Sequence, residues 1–303
     1  GDVYKRQHGG AARTPGAAST VIPRFGISTS PQGTSYAALR DVWRAADETE
    51  VFTSGWVNDH YAAFVGPPWV PDLDRGSADG WTVLASLLHE TTRLRGGVLV
   101  TGVHFRSAAK LAHIAATLDW SSGGRVDVGL GAGWSPEECE TFGVPLGDVT
   151  TRLDRFTESV EAIVGLLAGE TVTMHGDHVQ LEAARLSVRG PAIPPICIGG
   201  MGEQRTLPLA ARYADHWSYE GADIDEFAHK LAVLQRCCRD IGRNPGEIMA
   251  SAKVRFAAGE SPDVVAERAQ TLIDAGATLV LVSFPRPLDA SVVAPLASAL
   301  AAL

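Results

Sequence analysis

The sequence has few cysteines, and their spacing suits neither disulfides nor metal binding. Among its 303 residues are Cys139, Cys197, Cys237 and Cys238, and none of them forms a CxxC pair. Adjacent thiols such as Cys237 and Cys238 make a poor disulfide or zinc framework. We therefore expect four buried or half-buried free thiols in a reducing compartment, which predicts a cytoplasmic protein.

Long apolar runs and an excess of basic residues are also missing. No run approaches the roughly 18 consecutive apolar residues of a membrane span, so we expect no membrane partner. There are 26 Lys and Arg against 35 Asp and Glu, and the net charge of −9 argues against a nucleic-acid partner. An apolar fraction of 45% is still sufficient for a sizeable core. The expected partner is a small molecule.

Three chemical signatures begin but are not completed. Residues 89–93 (HETTR) start like a zincin helix but lack the second histidine. Residues 175–178 (HGDH) have the composition of a hairpin turn, which we favour over a metal cluster. No serine stands in a GxSxG elbow, so a hydrolase triad has no nucleophile. We predict no metal site.

Strand-like and helix-like segments alternate eight times along the chain. Apolar runs occupy residues 21–28, 52–58, 97–101, 126–131, 195–199, 216–219, 249–256 and 279–284. Helical patterns occupy residues 36–49, 80–92, 107–118, 152–168, 203–213, 225–241, 262–275 and 290–303. Continuous apolar strands suit a parallel sheet that is covered on both faces. Eight such units in about 280 residues predict an α/β fold of the TIM (β/α)8 barrel type, with a doubly wound open sheet as the alternative.

Two segments fall outside this alternation. Residues 169–194 predict a β-hairpin and an irregular return, an insertion after the fourth helix that we expect near the barrel mouth, over a ligand. Residues 1–20 lack the apolar core of a signal peptide and are rich in Gly, Ala and Pro. They predict a disordered lead or a remnant of gene assembly, followed by a single barrel domain over residues 21–303.

The C-terminal ends of barrel strands are where chemistry is expected. The second strand leads into Asp59-His60, where a carboxylate and an imidazole could orient each other and present a proton donor; a helix-capping Asp beside a packed His is the alternative. The fourth leads into residues 129–134 (GLGAGW), whose glycines indicate either close approach to a flat ring or tight barrel packing.

The fifth strand runs through glycines directly into a helix, over residues 199–206 (GGMGEQRT). Backbone N–H groups at a helix start favour an anion, and Arg205 adds a cation. This turn predicts a site for a phosphate-bearing cofactor, with a glycine turn that binds nothing as the alternative.

Three runs carry a resemblance to a known family: WVNDHYAAF (56–64), LVTGVHFRSAAKLAHIAATLDWSSGGRVDVGLGAGW (99–134) and PPICIGGMGEQRTLPLAARYADHWS (194–218). In this order they resemble the luciferase-like monooxygenase superfamily, and within it the branch of F420-dependent oxidoreductases. The resemblance extends over about residues 21–303. It implies a TIM barrel that binds F420, a deazaflavin with a phosphate and an oligoglutamate tail, or FMN in other branches. It also implies hydride transfer between F420 and an unidentified small organic substrate, in an enzyme that pairs into homodimers.

The resemblance assigns roles to individual residues. It places Asp59 and His60 beside the ring, with His60 donating or accepting the proton that accompanies the hydride. Trp217 and Arg255 are expected to contact the substrate, and a cis peptide is expected at residues 96–98. The residues implied to bind the cofactor are Thr101, Gly102, Gly131, Gly133 and Trp134 along the ring and Gly199, Gly200, Met201, Gly202, Arg205 and Thr206 at the phosphate.

Three other functions are open at this point. The first is an FMN-dependent monooxygenase that uses molecular oxygen, and the second is a non-catalytic flavin-binding protein. The third is a phosphate-binding barrel lyase, against which the scarcity of strand-end lysines argues, since Lys253 is the only near candidate for Schiff-base chemistry. Residues 103–105 (VHF) stand where relatives often carry Asn-Thr-Tyr, and residues 216–218 (HWS) where Gly-Trp-Asn is usual.

Overall fold

The computed structural model describes residues 23–303, so the prediction made for residues 1–20 lies outside it. The strands in this part of the chain are β1 (Arg24–Ser28), β2 (Phe52–Val57), β3 (Ala63–Val65), β4 (Val70–Asp72), β5 (Arg95–Val98), β6 (Thr101–Gly102), β7 (Val126–Gly131), β8 (Val172–His175), β9 (Gln180–Ala184), β10 (Ile196–Gly199), β11 (His216–Ser218), β12 (Met249–Arg255) and β13 (Leu279–Ser283). The α-helices are α1 (Tyr36–Asp47), α2 (Gly80–Glu90), α3 (Ala108–Ser122), α4 (Pro136–Thr141), α5 (Val149–Ala168), α6 (Thr206–Tyr213), α7 (Ile224–Asp240), α8 (Pro262–Asp274) and α9 (Val293–Leu300).

Parallel strands close into a barrel in the order β1, β2, β5, β7, β10, β11, β12 and β13, and β13 pairs back with β1. The third barrel strand is interrupted at Leu99 and Val100 and resumes as the short β6, which pairs with β7. The predicted TIM barrel is confirmed, and the open-sheet alternative is wrong.

Local sequence explains where the helices begin. Seven of them start at a Ser or Asp whose side chain accepts a hydrogen bond from the first turn, which satisfies a backbone N–H that has no partner within the helix. These capping residues are Ser35, Asp79, Ser107, Ser135, Asp148, Asp223 and Ser261. The caps fix the lengths of the loops at the C-terminal ends of the strands, where the helices start.

The core has two layers. The larger layer lies between the strands and the surrounding helices, and a smaller apolar cluster fills the barrel interior. The interior cluster consists of Trp56, Leu99, Cys197, Leu279 and Leu281. All four cysteines are free, three of them buried and Cys237 half-buried, as predicted.

The hairpin in residues 169–194 forms, with β8 antiparallel to β9, but it does not lie at the barrel mouth. The N–H groups of Asp177, His178 and Val179 donate to Glu158 in the middle of α5, so the hairpin lies along the outer side of that helix. The return segment then passes the N-terminal ends of the strands, where the Pro195 carbonyl accepts from the Val128 N–H. The expectation that this segment covers a ligand was wrong, because α5 leads away from the mouth.

Gly129 in β7 shows how closely the third and fourth barrel strands approach. A Cβ atom on Gly129 would lie 1.9 Å from the carbonyl oxygen of Val98, a backbone atom that cannot move aside. We expect Gly129→Ala to lower the free energy of unfolding by about 3 kcal/mol, at the upper end of the usual cost of overpacking. Urea denaturation measures this. The control is Gly76→Ala, since a Cβ there meets nothing within 4 Å. Equal losses in both variants would contradict the packing argument.

His216 on β11 makes stability depend on pH. It is 2% exposed, its Nε2 lies 2.6 Å from the Ser251 hydroxyl, and burial lowers its pKa from the ordinary 6.5 to about 3. Below pH 6.5 the unfolded chain therefore binds a proton that the folded chain does not. From this residue we expect the free energy of unfolding to fall by about 1.4 kcal/mol per pH unit as the pH drops between the ordinary pKa of 6.5 and the lowered pKa of about 3. Urea titrations between pH 6 and 4 should give a shallower slope for His216→Asn; an unchanged slope would refute this.

Candidate active site

Asp59 and His60 follow β2 at the barrel mouth, as predicted, but their side chains do not interact. Asp59 is 3% exposed, and its carboxylate accepts hydrogen bonds from Arg106 Nη1 at 2.5 Å, from the Gly80 N–H at 3.2 Å and from the Thr101 hydroxyl. These donors join the loops that follow the second and third barrel strands. The expectation that Asp59 orients His60 was wrong, because its oxygens are already engaged.

The partner of His60 is Glu138, whose side chain is 1% exposed. Nδ1 of His60 lies 2.9 Å from Oε2 of Glu138, while Oε1 accepts the N–H groups of Tyr61 at 2.7 Å and Ala62 at 3.2 Å. When Glu138 is ionised, its oxygens can only accept, and the Nδ1–H of His60 is then the donor. A neutral imidazole held in this way carries its free lone pair on Nε2, the atom available to a substrate proton.

Sequence reasoning missed Glu138 because it missed α4. No helix was predicted for Ser135-Pro136-Glu137-Glu138, although Ser followed by Pro and two acids is typical of a helix start. In the structure the Ser135 hydroxyl accepts the N–H of Glu138 at 3.2 Å. That signal could have predicted the helix, but not the contact with His60, which is 78 residues away in the sequence.

Aromatic rings surround the imidazole of His60. The ring centroids of Phe64, Trp134 and Phe105 lie 4.8, 5.8 and 6.4 Å from that of His60. Trp134 therefore lies beside His60 at the mouth, and its expected contact with a cofactor ring stays a prediction. The rings leave one edge of the imidazole accessible, since 16% of its side-chain surface is exposed.

Val100 lies at the centre of the mouth between two predicted glycines. A Cβ on Gly131 would come within 2.6 Å of Val100 Cγ2, and one on Gly199 within 2.9 Å of Cγ1. These glycines are therefore required by packing within the chain. The cis peptide joins Leu99 to Val100, so its prediction at residues 96–98 was wrong.

Other residues of the chain bond the Thr101 hydroxyl and fill the space beside Gly102 and Gly133. Thr101 is fully buried, and its hydroxyl donates to Asp59 and accepts from the Trp81 indole at 3.2 Å. A Cβ on Gly102 or Gly133 would lie 2.4 or 2.3 Å from Cε1 of His104. Burial, helped by the charge of Arg155, lowers the pKa of His104 to about 4. The Thr101 hydroxyl is therefore already engaged and is not free for the predicted contact with the cofactor.

The turn between β10 and α6 is open. The Gly200 N–H donates to the Ser218 carbonyl at 3.3 Å, and the Leu207 N–H to the Gly202 carbonyl at 2.9 Å. The N–H groups of residues 203–206 donate to no acceptor within residues 23–303. Gly202, Glu203 and Gln204 are exposed and Met201 is half-buried, so the turn is accessible from solvent, although the buried Thr206 side chain fills the space beside Gly200 and Gly202.

Charges beside this turn are already paired. Arg205 Nη2 lies 2.7 Å from Asp154 Oδ1 on α5, so the expected cation is shared with a carboxylate. Glu203 is turned toward α7, where its Oε1 accepts from Lys230 at 2.8 Å and lies 2.9 Å from His229 Nε2. The free backbone N–H groups are therefore the main attraction for an anion.

Trp217 and Arg255, the two residues expected to contact the substrate, differ in their exposure. Trp217 is completely buried in the helix-facing layer; its indole lies parallel to the ring of Phe227 and donates to the Gly200 carbonyl at 2.8 Å. It cannot touch a ligand in the mouth, and that prediction was wrong. Arg255 is exposed at the mouth end of β12, so a substrate contact there stays a prediction.

The opposite side of the mouth is polar. Lys253 Nζ donates to Glu220 Oε2 at 2.8 Å, and the Ser218 hydroxyl donates to Oε1 of the same carboxylate at 2.8 Å. Lys253, considered above only for Schiff-base chemistry, is thus in an ion pair. Sequence reasoning did not foresee this pair, because Glu220 lies beyond the end of β11.

Two further observations limit the chemistry of the described chain. Within residues 23–303 no three His, Cys, Asp or Glu side chains converge as a metal site would require. In the same range, no helix combines the length and the hydropathy needed to cross a membrane.

Comparison with known proteins identifies relatives of the chain and structures that share its fold. An F420-dependent hydroxymycolic acid dehydrogenase of Mycobacterium tuberculosis is 30% identical over 231 residues, which are 75% of this chain and 60% of that protein. An F420-dependent secondary alcohol dehydrogenase, solved with an F420–acetone adduct, superposes with a TM-score of 0.81 at 17% identity, over 93% of this chain and 99% of that one. Monooxygenase RslO1 from Streptomyces bottropensis gives 0.73 at 18% identity, over 92% and 96%.

The two solved structures are too distant in sequence to indicate more than the fold. The sequence profile of the luciferase-like monooxygenase family, in contrast, matches residues 19–299, nearly the whole chain. The chain therefore belongs to the luciferase-like monooxygenase family of enzymes.

Proposed function

We propose that the protein is an F420-dependent oxidoreductase that transfers a hydride between the deazaflavin and a small organic substrate. The observation that carries the proposal is the location of an open anion-binding turn and a carboxylate-bound histidine at the same barrel mouth. The F420-dependent dehydrogenase that is 30% identical to this chain supports the same assignment. The FMN-dependent monooxygenase remains the rival, since the family also contains monooxygenases.

The residues of the mouth fit a planar cofactor with a phosphate. The phosphate would be held by the free N–H groups of residues 203–206 at the start of α6. The ring would lie over Val100, because Gly131 and Gly199 on either side of it carry no side chains. When bound, F420 supplies a carrier of two electrons in the form of a hydride. The protein contributes orientation and the exclusion of water.

His60 is the residue we assign to the proton. Glu138 takes the Nδ1–H, so Nε2 of the neutral imidazole can accept a proton from a substrate hydroxyl, and the resulting cation is stabilised by the buried carboxylate beside it. Asp59 is a positioning residue, because its hydrogen bonds with Arg106 and Gly80 fix the loop that carries His60. A protein that only bound a flavin would not need this pair.

Titration of the purified protein with F420 and with FMN, followed by ring fluorescence, tests the cofactor. We expect saturable F420 binding and no response to FMN. Gly202→Asp places a negative charge in the anion-binding turn and should weaken F420 binding at least tenfold, because it opposes the phosphate. Ser298→Asp, on the exposed side of α9, is the charge-matched control and should bind normally. Tight FMN binding without an F420 response would replace this proposal with its rival.

Substitution of His60 tests the proton transfer. We expect His60→Ala to retain F420 affinity within about threefold and to lose roughly 10² to 10⁴ of turnover, the usual contribution of a positioned acid or base. F420 reduction with a panel of secondary alcohols measures this. Added imidazole should restore part of the activity, which a purely structural role for His60 would not allow. Glu138→Gln should show an intermediate loss, since it keeps the shape but removes the charge. Undiminished turnover in His60→Ala would show that His60 is not the base.

A further inference from the structure

Exposed apolar side chains are concentrated on one side of the barrel mouth. Fifteen large apolar residues are exposed within residues 23–303, and seven of them lie in residues 61–73 and 134–142. We call the exposed apolar side chains of these two segments the apolar rim. Its largest members are Tyr61, Trp69, Leu73, Trp134 and Phe142.

The two segments of the apolar rim form one continuous surface. The ring of Tyr61 stacks on that of Phe142, with centroids 4.9 Å apart and planes at 20°. The rings of Phe64 and Trp134 lie 4.8 Å apart. The strands β3 and β4 in the first segment pair only with each other among the described residues, so the barrel sheet does not require them. Soluble proteins rarely leave contiguous apolar surface exposed except where something binds.

This surface reaches the candidate catalytic histidine. Phe64 and Trp134, which join the two segments, are also the rings nearest His60, at 4.8 and 5.8 Å. An apolar group lying on Trp134 is therefore separated from the imidazole by no more than that side chain. The rim is continuous with the proposed active site and is not a separate surface patch.

Charge on the two sides of the mouth differs. On the rim side, Arg75 pairs with Asp72, with Nε 3.1 Å from Oδ2, and the other exposed charges within residues 134–142 are the carboxylates of Glu137 and Glu140. The polar pair stands on the far side of the mouth, across the barrel from β2, with Lys253 on β12 and Glu220 just after β11. The rim-side carboxylates would repel a phosphorylated substrate, whereas an apolar chain or fused ring would cover the apolar side chains of the rim.

We propose that the apolar rim binds the apolar portion of a bulky substrate, a long alkyl chain or a multi-ring skeleton, whose reacting carbon lies beside His60. The location of the reacting carbon rests on the proposed function; the preference for apolar molecules does not. Burial of each additional methylene on the rim should strengthen binding by about fourfold.

The test uses the cofactor-free protein and a fluorescent apolar probe, 1-anilinonaphthalene-8-sulfonate. The bound probe is displaced with 2-butanone, 2-heptanone or 2-decanone, and the displacement midpoint is compared. We expect the midpoint to fall by about fourfold per added methylene until the rim is covered. Trp69→Ser and Phe142→Ser should raise the midpoint for 2-decanone at least tenfold and leave that for 2-butanone nearly unchanged.

The matched control is Trp120→Ser, because Trp120 is a comparably exposed tryptophan on α3, outside the rim. Its 2-decanone midpoint should equal that of the wild type, and unchanged urea midpoints show that all three variants fold. Midpoints independent of chain length, or an equal loss in Trp120→Ser, would overturn the proposal. So would a dimer on size exclusion that Trp69→Ser dissociates, since the rim would then be a subunit interface. The result of this assay does not depend on whether the protein prefers F420 or FMN, because the cofactor is absent. The two proposals are therefore tested separately.

Discussion

The buried carboxylate of Glu138 is the interaction on which the geometry of the mouth depends. It joins the loop after the fourth barrel strand to the loop after the second, through the imidazole of His60 and the N–H groups of Tyr61 and Ala62. A buried acceptor left without its donors costs about 1–3 kcal/mol, and more when it is charged, so these loops have a strong reason to stay together. The same contact aligns Tyr61 with Phe142 and so assembles the apolar rim.

The barrel could be predicted because its signals are local. Alternation of apolar runs and amphipathic helices, with capping residues such as Ser107 and Ser261, is written within a few residues of each element. His60 could be found because a strand end locates it. Glu138 could not, since the contact joins residues far apart in the sequence, and sequence reasoning paired His60 with its neighbour Asp59 instead. Trp217 was misjudged for a related reason: alternation along a strand does not reveal which face looks inward when both faces are buried.

The glycines of residues 129–133 show how one sequence pattern supports two interpretations. They were consistent with close approach to a flat ring or with tight packing, and the structure finds Val98, Val100 and His104 against them. At Val100 the two interpretations are compatible with each other. Its side chain needs Gly131 and Gly199 as neighbours, and the proposed cofactor ring would lie against the same side chain. Packing inside the barrel thus shapes the surface that the proposed cofactor would cover.

The indole of Trp217 has a consequence for how heat affects this enzyme. Its ring belongs to the packed layer beneath α7, while its N–H donates to the carbonyl of Gly200 at the start of the turn that we propose as the anion site. Any loosening of that layer, well short of unfolding, shifts the turn with it, because one rigid side chain spans both. The affinity of the proposed site for its ligand would then decrease on warming at temperatures at which the secondary structure is still intact, because Trp217 couples the site to the packing beneath α7.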